Sequence, residues 1–265
     1  YMYFPKFDWP RVDNPKITFP LTGENLATVV AAEQETVRQI EAAFDDSPGE
    51  IASILIEPVQ CEGGDNHFRS EFFRELRRIA DEREAMLIFD EVQTGMGVTG
   101  TMWIHEQLGV RPDVLVFGKK AQVCGIAVSE RVDEVERNVF IENSRINSTW
   151  GGSLTDMARG QRYIEVMHED GLLENARDQG EYFLAGLRDL EERTSMSNAR
   201  GRGLLLAFDL PDSDSRDLLL RDAFDAGMLV IGCGHRSVRL RPHLDVTRST
   251  VDEALQVLET VLTAQ

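Results

Sequence analysis

Three short apolar runs limit what this chain can fold into: IASILIEPV from residue 51, AMLIFDEV from Ala85 to Val92, and DVLVFG from Asp113 to Gly118. Each is continuous rather than alternating and rich in Val, Ile, Leu and Phe, the pattern of a strand buried on both faces of a parallel sheet. Parallel neighbours need crossovers, and the segments between the runs supply them. SEFFRELRRIADERE has apolar positions at helical spacing, with Ser70 as its expected N-cap, and TMWIHEQLGV follows a Gly-rich turn, QTGMGVTG. Upstream, ENLATVVAAEQETVRQIEAAF reads as a helix ended by the turn cluster DDSPGE. Strand, helix, strand, helix, strand is a doubly wound α/β layout with a mainly parallel sheet flanked by helices.

From about Leu154 the texture changes to two long helical stretches, LTDMARGQRYIEVMHED and GLLENARDQGEYFLAGLRDLEER, followed by short strands and one helix. We expect a division at 168/169, with 1–168 belonging to a larger domain and 169–265 forming a smaller α+β domain. No internal repeat or low-complexity tract is present.

In open parallel sheets, ligands occupy the crevice beyond the carboxyl ends of the strands. Glu57, Asp90 and Lys119 fall at or just past those ends, one per strand, so the layout gathers two carboxylates and an amine. An amine of ordinary pKa about 10.4 is a poor nucleophile at neutral pH and must be desolvated or set near charge to work. Lys120 makes the amine a doublet; strand register favours Lys119. Asp90 and Val92 share a strand face, because side chains alternate with period two.

Composition excludes several functions. With 46 acidic against 28 basic residues the formal charge is −18 and the pI about 4.7, which disfavours nucleic acid as a partner. The acidic residues are spread through amphipathic segments, so they read as a solvated surface, and a salt-adapted source is compatible with the excess. There is no apolar run of 18 residues and no secretory signal pattern at the start, so no membrane partner is expected. Cys61, Cys124 and Cys233 are odd in number and widely spaced, arguing against a disulfide framework or zinc site and for a reducing cytoplasm. Cys124 reads as a small buried residue, and the five histidines lack ligand spacing, so no metal is expected.

The segments EPVQCEGGD (57–65), LIFDEVQTGMGVTG (87–100), PDVLVFGKK (112–120) and NSTWGG (147–152) resemble, in order and spacing, the class III or ω-amino-acid aminotransferases. The resemblance covers nearly the whole chain. It implies a fold type I architecture, pyridoxal 5'-phosphate as cofactor, amino acid and 2-oxo acid substrates used in turn, and a homodimer. It makes Lys119 the lysine that carries the cofactor and later moves a proton. Asp90 becomes the partner of the ring nitrogen, Val92 a packing residue on one ring face, and Gln93 a donor on the phenolic oxygen side. Thr149, in the Asn147-Ser148-Thr149 loop, would reach the cofactor phosphate of the neighbouring subunit.

The same resemblance implies a carboxylate gate in which Glu62 pairs with Arg241 until a dicarboxylate displaces it. Arginine suits that task because its fork binds carboxylates bidentately and stays charged. Glu57 is expected to orient Gln93 or the substrate amine. FGKKAQVCG, NSTWGGSLTDM and PKFDWPRVDNP are most similar to the branch of the family that acts on the terminal amine of lysine. 2-Oxoglutarate is the implied acceptor. Ornithine or 4-aminobutyrate as donor, or a catalytically silent relative, are the alternatives. A phosphate-cradling loop and a ring-stacking aromatic are expected upstream of the residues given, so the N-terminal part of the large domain is expected to be absent.

Overall fold

The computed structural model describes residues 6–146 and 148–264, so Tyr1–Pro5, which includes the first residue of PKFDWPRVDNP, Asn147 and Gln265 lie outside the described residues. Helix α1 (Gly23–Asp46) leads to strand β1 (Ser53–Ile56), then to a small hairpin of β2 (Val59–Gln60) and β3 (Asn66–His67). Helix α2 (Ser70–Glu82) crosses to β4 (Met86–Asp90), and a loop with the single-turn helix α3 (His105–Leu108) leads to β5 (Val114–Phe117). A 3₁₀ turn over Lys119–Ala121 precedes β6 (Gly125–Val128).

The first sheet has the order β1-β4-β5-β6. β1, β4 and β5 are parallel, and β6 runs antiparallel to β5. The three expected strands therefore lie side by side with their carboxyl ends on one edge. Among the described residues β1 is an edge strand, and Leu55 is 61% exposed. The other face is closed by α1 and α2, where Phe72, Phe73, Leu76 and Ile79 pack with Leu87 and Phe89. Phe73 meets Phe89 edge-on with centroids 5.3 Å apart, a favoured aromatic geometry.

Ser70 is the first residue of α2 rather than its cap; the cap position is Arg69, without a side-chain capping bond. Arg69 instead holds buried Glu33 of α1, with Nη2 2.7 Å from Oε2, which fastens the two helices together. Cys124 is exposed, not buried, because it precedes the outer strand β6.

Beyond these come α4 (Leu154–Glu169), α5 (Leu172–Glu191), β7 (Ser197–Arg202), β8 (Leu205–Asp209), α6 (Ser213–Asp225), β9 (Ile231–Cys233), β10 (Ser237–Leu240) and α7 (Arg248–Thr263). The second sheet, β7-β8-β10-β9, is antiparallel throughout. Its core of Phe183, Leu187, Leu206, Phe208, Val238 and Leu258 also takes in Val59, Cys61, Val98 and Ile104 from the first half of the chain. That shared packing presses the β2–β3 hairpin against β10, which matters for the site.

Candidate active site

Asp90 is the last residue of β4, and its Oδ1 accepts the N–H of Val92 at 3.0 Å, turning the chain off the strand. No hydrogen bond to its Oδ2 is found among the described residues. Strand alternation sends Glu91 the opposite way, where it is fully enclosed. Its carboxylate accepts the N–H groups of Ile104 at 2.8 Å and His105 at 3.2 Å and the hydroxyl of Thr94 at 3.3 Å. Glu91 thus folds the long loop after β4 back on itself and fixes the direction in which Asp90, Val92 and Gln93 leave it.

Gly118 follows β5, and a Cβ there would lie 3.2 Å from Cys124 Sγ and 3.7 Å from both methyl groups of Val92. The small residue lets Val92 approach the start of the 3₁₀ turn, so the apolar side chain expected against a cofactor ring stands beside Lys119. Glu57, one residue past β1, accepts the N–H of Cys61 at 3.4 Å. Burial pushes its carboxyl above the usual range. The Cys61 N–H opposes this, Asp90 adds to it, Lys119 opposes it, and Glu62 adds to it. Glu57 feels Asp90 and Lys119 together, so the three strand-end groups share one electrostatic neighbourhood. Its own hydrogen bond goes to Cys61, and none joins it to Gln93 among the described residues.

Lys119 is exposed, whereas Lys120 is half-buried and donates from Nζ to the backbone oxygen of Gln93 at 2.5 Å. Each member of the doublet thus has its own surroundings, and the one that shares a neighbourhood with Asp90 and Glu57 is Lys119.

The expected Glu62–Arg241 pair is not formed. Glu62 pairs with Arg239, Nη2 to Oε2 3.0 Å, while Arg241 is held by Asp65, with Nη2 2.5 and 2.7 Å from the two carboxylate oxygens. The cause lies in the β2–β3 turn. Gly64 (φ 123°) and Asp65 (φ 48°) adopt left-handed backbone, a conformation costly for non-glycine residues. This turns Asp65 inward, fully enclosed, and leaves Glu62 outside, 54% exposed. Arg200 pins the turn by donating to Gly64 O at 2.6 Å and Asp65 O at 3.0 Å. Gly234 N donates to Glu62 O at 2.9 Å, and a Cβ on Gly234 would sit 2.8 Å from Gly63 O, so only glycine allows that approach. Nη1 of Arg239 is buried with no hydrogen-bond partner among the described residues.

Asp65, Arg200, Glu91 and the Arg239 pairing were not singled out from the sequence as site residues. A signal was present: two cations spaced for one strand face, Arg239 and Arg241, facing a turn with two carboxylates, Glu62 and Asp65. Thr149 sits in an exposed turn before α4, and no hydrogen bond joins it to Asp90 or Lys119 among the described residues. No group of three or more His, Cys, Asp or Glu suited to a metal occurs among the described residues.

A profile of the family Aminotransferase class-III matches residues 6–262. The chain belongs to this family. L-lysine-epsilon aminotransferase of Mycobacterium tuberculosis is 47% identical over 261 residues, which are 98% of this chain and 58% of that protein. The mitochondrial 4-aminobutyrate aminotransferase of Homo sapiens is 36% identical over 252 residues, 91% of this chain and 48% of that protein. Among solved structures, lysine aminotransferase from M. tuberculosis in the internal aldimine form superposes with a TM-score of 0.94 at 47% identity, covering 99% of this chain and 60% of that one. The class III chain described here thus spans a little under three-fifths of the length of its M. tuberculosis relative. No helix among the described residues is long and apolar enough to cross a membrane.

Proposed function

We propose that this chain carries the amine-transfer site of a pyridoxal-phosphate-dependent transaminase that moves the terminal amine of L-lysine to 2-oxoglutarate. The observation that carries the reading is the meeting of Glu57, Asp90 and Lys119 at the carboxyl ends of three adjacent parallel strands. The residues present suit the cofactor: a carboxylate with one oxygen unengaged, an apolar Val92 beside it, and an accessible amine. Bound there, the cofactor supplies an electron sink for bond breaking at the amine-bearing carbon. With the cofactor bound, Asp90 would hold the ring nitrogen's proton, Val92 would pack on the ring face, and Gln93 would serve the phenolic oxygen side. Lys119 Nζ would anchor the cofactor and would serve as the general base and acid at the amine-bearing carbon.

The acceptor carboxylate goes to Arg239, whose partner Glu62 is exposed and free to swing away, rather than to Arg241, whose partner Asp65 is enclosed. Glu62 in place leaves no bare cation to repel a diamino donor. Thr149 would hold the cofactor phosphate of a second copy. The exposed apolar residues around it, Ile141 (70%), Trp150 (81%) and Leu154 (83%), support a homodimer. Three free cysteines support a reducing, cytoplasmic setting.

The test is steady-state kinetics of the full-length protein with lysine, ornithine and 4-aminobutyrate, each against 2-oxoglutarate. Lysine is expected to give the highest kcat/KM. Either competitor exceeding it tenfold, about 1.4 kcal/mol in transition-state binding, overturns the donor assignment. A visible cofactor band that survives Lys119→Ala overturns the anchor.

A further inference from the structure

Lys6, Lys16, Lys119 and Lys120 are the only lysines in the chain. The first two are exposed near the start. Lys120 differs from its neighbour in what surrounds it. It lines a cavity of about 370 Å³ whose walls are mostly apolar, among them Met96, Tyr163, Met167, Leu172 and Leu244. Lys119 is not part of that wall. The amine of Lys120 is oriented by its bond to Gln93 O. That bond engages one N–H and leaves the nitrogen lone pair free once the amine is neutral. Burial lowers its pKa to about 8, with Cys61 opposing and Arg241 and Lys119 adding to the fall. Of the cavity's other titratable groups, Tyr163 and His243, neither is a carboxylate that would hold the ammonium form.

We infer that Lys120 is a second covalent site, separate from the cofactor lysine, that condenses reversibly with aldehydes bearing an apolar tail. The proposal rests on Lys119 being the cofactor anchor. In the step, the lone pair of Nζ attacks the aldehyde carbon and a C–N bond forms as the C=O π bond opens. The carbinolamine then expels its oxygen as water, which leaves with both protons of the amine, and a C=N bond remains. The balance is amine plus aldehyde to imine plus water, with no oxidant or reductant. The apolar walls select the tail: each methylene taken from water strengthens binding about fourfold until the cavity is full. Near pH 8 about half of such an amine is free base, against well under a hundredth for an ordinary lysine.

The experiment uses the full-length protein saturated with pyridoxal phosphate. One sample is reduced with borohydride and its peptides mapped by mass to locate the cofactor. Parallel samples receive acetaldehyde, butanal or hexanal with cyanoborohydride at pH 8, and adducts are quantified at each lysine. The expected result is cofactor mass on Lys119 and alkyl adduct on Lys120, at least about tenfold above Lys6 and Lys16, growing from acetaldehyde to hexanal and lost in Lys120→Arg. Cofactor on Lys119 with Lys120 labelled no faster than Lys6 and Lys16, or with no dependence on chain length, overturns the second site alone. Cofactor mass on Lys120 overturns the anchor assignment and the second site together.

Discussion

Replacing Arg239 by Gln should disable the acceptor half of the reaction while sparing the donor half, and the two ion pairs at the β2–β3 turn say by how much. The Glu62–Arg239 pair has its carboxylate more than half in solvent, so solvent screening holds its contribution to about 1 kcal/mol or less. A substrate carboxylate displaces Glu62 at little cost. The Asp65–Arg241 pair is enclosed on the Asp65 side, and separating such a pair costs about 3 to 5 kcal/mol. An incoming dicarboxylate competing for Arg241 would face a penalty about 2 to 4 kcal/mol larger, roughly 30- to 1,000-fold in affinity. Losing a charge-assisted contact from Arg239 should remove a similar amount from acceptor binding. In single-turnover measurements on full-length protein, Arg239→Gln is therefore expected to slow the 2-oxoglutarate half-reaction about 30- to 1,000-fold. The lysine half-reaction should change by less than about threefold. Arg241→Gln should show the reverse emphasis: a lowered melting temperature, because Asp65 is left buried without its cation, and a smaller effect on the acceptor. The reasoning fails if Arg241→Gln, still folded by circular dichroism, abolishes the acceptor half-reaction while Arg239→Gln leaves it intact.

Asp90→Asn should retain bound cofactor but lower turnover at least about a hundredfold; undiminished activity contradicts its assignment. Thr149→Ala should weaken cofactor retention in a dimer, whereas a fully active monomer by light scattering contradicts the second-copy contact. For Asp209, burial opposes ionisation but Arg200, Asn198 and Ser237 outweigh it, so its carboxyl is held below the usual range. A depressed folded-state pKa adds stability that is present above the unfolded value near 4 and lost as pH falls through the folded value. Asp209→Asn should therefore lose about 3 kcal/mol at pH 7, since Arg200 is only 2% exposed. Its stability should also fall less steeply than the wild type's below about pH 4, and parallel acid-unfolding curves would exclude the Arg200–Asp209 explanation. With a formal charge of −18, raising NaCl from about 0.05 to 1 M should increase the melting temperature by screening self-repulsion; a fall would mean that attractive surface pairs dominate.

Much of the architecture was legible because hydrophobic period is a local property. The runs around Ile54, Leu87 and Leu115 became neighbouring parallel strands, and the helical spacings before and between them became α1 and α2. Exposure was less legible, since it depends on what covers an element. Cys124 sits just before the strand that closes the edge of the sheet opposite β1. Ser70 has the chemistry of a cap, but the tie between Arg69 and Glu33 decides where α2 meets α1, and no local pattern encodes a contact across 36 residues of sequence.

The candidate site was legible as far as strand ends could take it. Asp90, Glu57 and Lys119 follow from where three strands stop, so their convergence could be read before the fold was known. The choice between Arg239 and Arg241 could not, because both lie on one face of the same extended segment and alternation treats them alike. What separates them is the partner each can reach. Asp65 reaches Arg241 only because left-handed residues at Gly64 and Asp65 turn it inward, and Arg200 and Gly234 hold that turn from elements more than 130 residues away in sequence. One arginine is thereby neutralised by an enclosed carboxylate and becomes structural. The other keeps a carboxylate that solvent can take away, together with a buried Nη1 that lacks a partner. On the proposed reading, the difference between a packing cation and a substrate-binding one lies in the mobility of the counter-charge, which the fold assigns through a turn of a few residues.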